Sequence, residues 1–298
     1  MQNADQWFKA AKAELGGADP FEKLTSAKGN IRVKPWYDRF DTRNDQTFIL
    51  PAEKSWLGAR AWVNAPLIIV KDAAEANKNA LQQLASGADG LLFDASKDVD
   101  RATLLRDIKL EYCSVFFKTD YKFHLGQTHE SPEISLAKLL SDFVEHISAG
   151  NHVPRSMEQI AVLSETGNDF FLEIARLKAL RVLWNGLCKA YSTTAPPLTI
   201  HSVISPWESE VYQPHGNMIA ATSRTLSSVL GGCNAVTVIG EHTGESNTGR
   251  IARNVSLVLR DESHISKTAD ATAGSYYIDS LVRDIVEKSW TEFQKLQQ

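Results

Sequence analysis

The chain has 298 residues, of which 43% are hydrophobic and 23% are charged, and its formal net charge is −4. This composition is typical of a globular protein and argues against the basic surface that nucleic-acid binding needs. The sequence contains no apolar run long enough to span a membrane, and its N-terminus lacks the apolar core of a signal peptide. The three cysteines, Cys113, Cys188 and Cys233, are too few and too far apart for a disulfide framework. We therefore expect a cytoplasmic protein without nucleic-acid or membrane partners.

The first 60 residues are predicted to form an N-terminal unit, with a short amphipathic helix over residues 5–15 and an extended arm after it. The arm is rich in glycine, proline and charges of both signs, so we expect it to run over the surface or across a partner. Its adjacent aromatic residues, Trp36 and Tyr37, are the predicted anchors, because such side chains usually pack against another surface. They are the candidate interface residues.

Residues 61–298 alternate short apolar strands with amphipathic helices, which predicts βα units and a parallel sheet. Strands are predicted over residues 66–70, 90–93, 113–117, 198–204 and 234–239. Helices are predicted over residues 73–85, 100–108, 132–149, 154–164, 168–191, 217–230, 246–259 and 277–296. Residues 119–132 are predicted to be a polar loop. Two successive helices, 132–149 and 154–164, interrupt the alternation, so a regular eightfold barrel would lack an element there.

Two histidines belong to neighbouring predicted strands. His201 lies within one strand at its predicted carboxyl rim, and His242 follows the next strand, directly after Glu241. Ligands of parallel α/β folds bind at the carboxyl ends of the strands. Two imidazoles at this edge would suit acid–base chemistry or anion binding, although ordinary structural histidines remain the alternative.

The sequence gives little support for a metal or nucleotide site. His124 and His129 lie in a predicted loop, and no HExxH spacing occurs. An acidic group after one predicted strand, Asp94, Ser96 and Asp98, fits a capping loop better than a cation site. The chain has no GxGxxG, P-loop or GxSxG motif, so nucleotide binding and serine hydrolysis find no support.

Four segments together resemble the methylmalonyl-CoA mutase family. GNDFFLEIARLKALRVLW (167–184) is similar to that family's NFFMEIAKLRAARLLW helix, and residues 250–282 are similar to its RIARN to GSYY run. Residues 231–238 and 18–37 resemble the strand before that run and the N-terminal arm. The resemblance implies a TIM-type (β/α)8 barrel, with room for a shortened or irregular ring, in which acyl-CoA threads along the axis.

The details are more similar to the small subunit of heterodimeric mutases than to the large one. HSVISPW stands where the large subunit has a His-x-x-x-Ser-Gly-Trp strand end, with Pro206 in place of the glycine. The resemblance and the strand positions together give the following candidate substrate-binding residues: His201, Ser205, Trp207, Glu241 and His242.

Three departures from the family indicate that this chain is inactive on its own. Residues 148–166, where a tyrosine–histidine loop is expected, contain no Gly-Tyr-His, and IGEHTGES does not match the family's asparagine and glutamate. The cobalamin-binding domain with its DxHxxG motif is absent from the sequence. The resemblance therefore implies that adenosylcobalamin is bound by a larger partner subunit and by no residue of this chain.

Three hypotheses follow. The first is a small, non-catalytic subunit of a methylmalonyl-CoA mutase-like isomerase, paired with a larger cobalamin-binding chain that interconverts methylmalonyl-CoA and succinyl-CoA. The second is a stand-alone barrel that binds an acyl-CoA or a small carboxylate. The third is a catalytic barrel whose cobalamin domain lies on a separate chain.

Overall fold

The structure is a computed structural model, and it describes residues 2–42, 48–55, 57–126, 131–150, 152–206, 216–240 and 246–298. Its N-terminal part contains α1 (Gln2–Glu14), α2 (Pro20–Leu24) and an antiparallel hairpin of β1 (Ser26–Lys28) and β2 (Ile31–Val33). The elements that follow, in chain order, are β3 (Val63–Asn64), β4 (Leu67–Ile69), α3 (Ala73–Ala85), β5 (Gly90–Asp94), α4 (Arg101–Leu104), β6 (Ser114–Phe117), β7 (Phe123–Leu125), α5 (Pro132–Ala149), α6 (Val153–Glu158), β8 (Ala161–Glu165), α7 (Phe170–Ala190), β9 (Thr199–Ile204), α8 (Gly216–Leu230), β10 (Ala235–Val238), α9 (Ser246–Leu257) and α10 (Tyr276–Leu296). A π-helical turn, Val258–Glu262, extends α9.

The strands from β3 to β10 pair in parallel, and their order in space follows their order in the chain. One sheet has the order β4-β5-β6, and the other has the order β3-β10-β9-β8-β7. Because β3 and β4 are consecutive segments separated only by Ala65 and Pro66, they join the two sheets into one series of strands that runs from β6 to β7. Side chains from both sheets meet in one apolar cluster on its inner face, and we call this curved series the ring of strands. The predicted α/β fold with parallel strands is confirmed, and this order is consistent with the TIM-type barrel family.

The ring of strands has one break among the described strands, because β6 and β7 do not pair with each other. Residues 118–122 connect these two strands, beginning with a 3₁₀ turn at Lys118–Asp120. Parallel neighbours need a crossover connection of about a dozen residues or more, so this short link cannot make them a pair. The sequence prediction placed the missing element between the predicted helices 132–149 and 154–164, whereas the break in strand pairing lies between β6 and β7.

Two predictions about local structure are wrong. Residues 161–165 form β8, whereas we expected a helix over 154–164, of which only α6 is present. Residues 162–164 of β8 are all buried, so this strand shows the continuous apolar run of a buried parallel strand and no alternation. Likewise β7 lies inside the predicted polar loop, since three residues are too short a strand to give a clear pattern.

Two hydrophobic cores lie outside the ring. The larger one packs β7 to β10 against α5, α7 and α10, with Phe143 in edge contact with both Phe123 and Trp184 at 4.9 and 5.7 Å. The smaller one packs β4 to β6 against α3 and α4 and includes the stacked rings of Phe93 and Phe117. Within the described ranges, no helix has the length and apolar character needed to cross a membrane.

The arm is docked on its own chain. Ile31 is fully buried in the larger core, and the Asn30 amide donates to Glu133 Oε1 on α5 at 3.0 Å. Lys288 of α10 donates to the Asn30 carbonyl oxygen at 2.6 Å. Gly29 has a φ of +60°, and a side chain at this position would clash with Ser131. The hairpin in the arm is therefore part of the fold.

Candidate functional site

His201 is the predicted site residue that the structure places most clearly. It is the third residue of β9, it is fully buried, and its ring is in edge contact with Phe116 and Tyr121. We expected it at the carboxyl rim. The structure places it deeper, because Val203 and Ser205 follow on the same face of the strand.

A chain of hydrogen bonds runs through the His201 ring. Tyr121 Oη lies 2.7 Å from Nδ1, Thr237 Oγ1 lies 2.8 Å from Nε2, and Thr237 Oγ1 donates to the Ala65 carbonyl oxygen at 2.6 Å. Because the one hydroxyl hydrogen of Thr237 goes to Ala65, Thr237 must accept from Nε2–H. Nδ1 is then the acceptor for the Tyr121 hydroxyl. The geometry therefore assigns a neutral imidazole with both nitrogens engaged.

Burial suppresses the charged forms of both ring systems. Desolvation lowers the pKa of His201 to about 3, and it raises the pKa of Tyr121 well above its usual value. His201 is thus neutral at pH 7 and has no free nitrogen with which to exchange a proton with a ligand.

The inner faces of the strands supply a separate apolar cluster. Its members are Leu92, Tyr121, Leu163 and Val203, with Leu67, Phe116, Ala161 and Ile239 packed against them. The strand register aligns Leu67 with Leu92, and Leu92 with Phe116. Leu163 is aligned with His201. Large side chains therefore occupy the axis of the ring at this level, as in the packed interior of a TIM barrel.

The carboxyl ends of the strands carry exposed ion pairs and backbone anchors. Asp94 pairs with Lys118 at 3.1 Å. The Ser205 carbonyl oxygen accepts from Arg224 Nη1 at 2.8 Å, so the backbone of Ser205 is tied to α8. Over the part of the chain that the structure describes, no group of three or more histidine, cysteine or acidic side chains could hold a metal ion. Asp94, the last residue of β5, thus pairs with Lys118, the first residue of the connection after β6.

Three of the five candidate substrate-binding residues, Trp207, Glu241 and His242, lie outside the described residues. The two candidate interface residues pack within the chain. Trp36 stacks on Trp7 with ring centroids 5.3 Å apart, and Tyr37 contacts Tyr277 of α10 at 5.0 Å. Their roles toward a ligand or a partner stay predictions.

Sequence reasoning missed the partners of His201. Tyr121 stood in a predicted loop, and Thr237 stood in a predicted buried strand with no sign that its hydroxyl was engaged. Both contacts join residues that are far apart in the chain. The position of His201 within a strand was the available signal that its partners would come from neighbouring strands.

The helix that carried the family resemblance, α7, contains two buried cations, Arg176 and Lys178, and a partly buried one, Arg181. Arg176 donates to the carbonyl oxygens of Gly126 and Glu165, at 2.9 and 2.8 Å, and so holds the ends of β7 and β8 together. Arg181 donates to the Leu198 carbonyl oxygen at 3.1 Å and to Asn234 Oδ1 at 2.9 Å. Burial lowers the pKa of Arg181 to about 10, which leaves it charged at neutral pH.

Lys178 is the third cation, and it forms a buried ion pair. Its ammonium group lies 2.9 Å from Asp270 Oδ2, and both side chains are almost completely buried. Burial alone would raise the pKa of Asp270, but the Leu50 amide and the Lys178 ammonium hold it below its usual value. The pair fastens the loop before α10 to α7. The charged residues of this motif are thus structural.

The structure is an α/β protein with parallel strands. The charged residues of its most distinctive sequence motif, residues 167–184, hold the strands and loops around α7 in place. The sequence profile described as methylmalonyl-CoA mutase matches residues 133–298, more than half of the chain. The chain belongs to the methylmalonyl-CoA mutase family.

Two relatives from Porphyromonas gingivalis illustrate the similarity. The protein named methylmalonyl-CoA mutase small subunit is 26% identical over 382 residues, which covers 97% of this chain and 62% of the relative. The large subunit is 26% identical over 192 residues, 59% of this chain and 26% of that relative. This chain thus spans about three fifths of the small subunit and a quarter of the large one. Since the first matched span is longer than this chain, that relative has residues within the span that this chain lacks.

Among solved structures, a Yersinia pestis DHPS with a bound pterine-sulfa conjugate matches 73% of this chain and 99% of its own, with 12% identity and a TM-score of 0.31. Similarity at this level carries no argument about the fold.

Proposed function

We propose that this chain is the barrel part of a small, non-catalytic subunit of a methylmalonyl-CoA mutase-like isomerase. In this assembly, the interconversion of methylmalonyl-CoA and succinyl-CoA belongs to a larger partner chain. The observation that carries the proposal is the state of His201, which is fully buried with both ring nitrogens engaged. The one predicted acid–base group described inside the ring is therefore part of the core.

The distribution of similarity supports the small-subunit assignment. The match to the small subunit extends over almost the whole chain, whereas the match to the large subunit of the same organism covers 59% of it. The existence of two named subunits in one organism also supports a larger partner for this chain.

Cobalamin mutases break a weak cobalt–carbon bond and must keep radicals in a closed, dry cavity. The described residues do not fit such a site, since His201 offers no nitrogen to cobalt and apolar side chains fill the ring axis beside it. We therefore assign no chemical step to this chain and place adenosylcobalamin on the proposed partner.

The arm and the helices beneath it are the proposed pairing surface. Tyr37 contacts Tyr277, which in turn contacts Phe171, and the side chain of Phe171 is 47% exposed. The buried indole nitrogen of Trp36 finds no acceptor among the described residues. Aromatic side chains of this kind are frequent at the energetic centres of protein interfaces.

The proposal is tested by the native mass of the protein isolated under mild conditions from its own cells. We expect recovery in a fixed ratio with a larger chain that binds cobalamin. Recovery alone, as a monomer or a homodimer, would contradict the proposal. In that case, binding of a CoA thioester by the isolated chain, abolished by His242→Ala, would establish the stand-alone acyl-CoA-binding barrel.

A further inference from the structure

The break between β6 and β7 leaves the ring without backbone pairing on one side. Each flanking strand is fastened to its other neighbour, β6 to β5 and β7 to β8. Residues 118–122 bridge the break, and they contain one side chain of the inner apolar cluster, Tyr121. An unpaired strand edge is a weak point of a sheet, so the contacts of residues 118–122 hold this side together. At the surface these contacts are the exposed ion pairs of Lys118 with Asp94 and of Asp120 with Arg101, and inside the ring they are the contacts of Tyr121.

Tyr121 reaches from the break into the interior of the ring. Its side chain is 8% exposed, and its hydroxyl donates to His201 Nδ1 on β9. Phe116, the inward-facing residue of β6, lies with its ring edge-on to the same imidazole at 4.9 Å. Strand β6, through Phe116, and the connection after it, through Tyr121, therefore both contact His201 on β9.

The imidazole continues the connection beyond β9. Through Nε2 it donates to Thr237 on β10, and Thr237 donates to the carbonyl oxygen of Ala65, between β3 and β4. At the break itself, His124 Nε2 on β7 lies 3.2 Å from the carbonyl oxygen of Tyr121, so β7 is tied to the connection 118–122. A continuous series of hydrogen bonds thus crosses the ring from Tyr121 at the break, through His201 and Thr237, to Ala65 between β3 and β4.

We propose that the Tyr121 hydroxyl is a latch that closes the ring of strands across the break by fastening the β6–β7 connection to His201. The latch takes the place of the strand pairing that the short connection cannot provide. Release of this contact opens the inner apolar cluster sideways, between β6 and β7, and exposes the His201 ring.

The test is amide hydrogen exchange of the whole chain with the substitution Tyr121→Phe, which removes only the hydroxyl. We expect exchange in residues 114–125 to become about tenfold faster or more, because Nδ1 is left as a buried acceptor without a donor. Exchange in α7 should remain as in the wild type. Tyr112→Phe is the matched control, since Tyr112 is 77% exposed and lies just before β6.

Two further measurements separate the latch from general destabilisation. Diethyl pyrocarbonate should modify His201 in the Tyr121→Phe protein and spare it in the wild type, with the exposed His264, which lies outside residues 114–125, as internal reference. Thr237→Val should accelerate exchange in residues 114–125 as well, although residue 237 lies on β10 and is connected to Tyr121 only through His201. Unchanged exchange in 114–125, equal acceleration throughout the chain, or protection of His201 in both proteins would overturn the proposal.

Discussion

Two walls of the ring are held in different ways. The C-terminal wall, which consists of β7 to β10 with α5, α7 and α10, is fastened by the buried charges of α7 and by the larger core. The N-terminal wall, which consists of β4 to β6 with α3 and α4, has a smaller core. Exposed ion pairs at its edge join Asp94 to Lys118 and Arg101 to Asp120.

The match to the family profile lies mostly in the C-terminal wall, where the buried charges are. The family profile covers the C-terminal wall except β7. Arg176 joins the ends of β7 and β8, Lys178 fastens the loop before α10 to α7, and Arg181 fastens the residues before β9 and β10 to α7. Buried charges tolerate little change, because removal of one partner leaves the other uncompensated. The motif residues therefore indicate membership of the family through their structural contacts, and they are not evidence of catalytic activity.

The largest expected effect comes from the buried ion pair of the C-terminal wall. Lys178→Met leaves the Asp270 carboxylate buried without its cation, and we expect the free energy of unfolding to fall by about 3–5 kcal/mol. Lys118→Met is the matched variant on the N-terminal wall. Its pair with Asp94 is half exposed, so a loss below about 1 kcal/mol is expected. Urea unfolding of both variants measures the difference, and equal losses would contradict the distinction between the walls.

The next largest effect concerns the hydrogen bonds through His201. They run between the two places where the walls meet, the β6–β7 connection and the segment between β3 and β4. His201→Leu leaves the buried Tyr121 hydroxyl without its acceptor, and a stranded buried donor costs about 1–3 kcal/mol. Thr237 loses the donor from Nε2 but keeps its own bond to the Ala65 carbonyl oxygen. If the chain forms the proposed complex, the isomerase activity of that complex should stay unchanged at temperatures where both the wild type and the variant are folded. A loss of activity with retained folding and pairing would show that His201 takes part in the chemistry.

The elements that the sequence predicted well are those with local signals at their ends. Helix α3 begins after the capping residue Asp72, whose side chain accepts from the Glu75 amide. Helix α5 begins with Pro132, and its bounds match the prediction. Strand β8 was missed because it is buried on both faces, so its apolar run did not distinguish it from a helix.

The candidate site was less predictable, because it depends on contacts between distant parts of the chain. The position of His201 within a strand followed from its neighbours in sequence, but its protonation state depends on Tyr121 and Thr237, 80 and 36 residues away. Nothing in the sequence near residue 121 indicated that this side chain would enter the ring.

A smaller effect should appear in the dependence of stability on pH. The pKa of His201 is about 3 in the folded protein, below its usual value near 6.5, so the unfolded chain binds more protons between these values. The free energy of unfolding should therefore fall as the pH is lowered from about 6.5, by at most about 1.4 kcal/mol per pH unit from this group. Urea unfolding at pH 5 and 7 measures the slope. His201→Leu should lack this contribution, and an identical slope in both proteins would contradict the assignment.

The smallest expected effect tests which wall meets the proposed partner. The arm lies on the C-terminal wall through Tyr37 and Tyr277, whereas Tyr112 is exposed on the N-terminal wall. Tyr37→Ala should weaken association with the larger subunit by about 1 kcal/mol or more, while Tyr112→Ala should leave it unchanged. Deletion of residues 1–40 is a poorer test, because it also removes Ile31 from the larger core. Titration of the purified subunits would measure both affinities, and a greater loss with Tyr112→Ala would move the interface to the N-terminal wall.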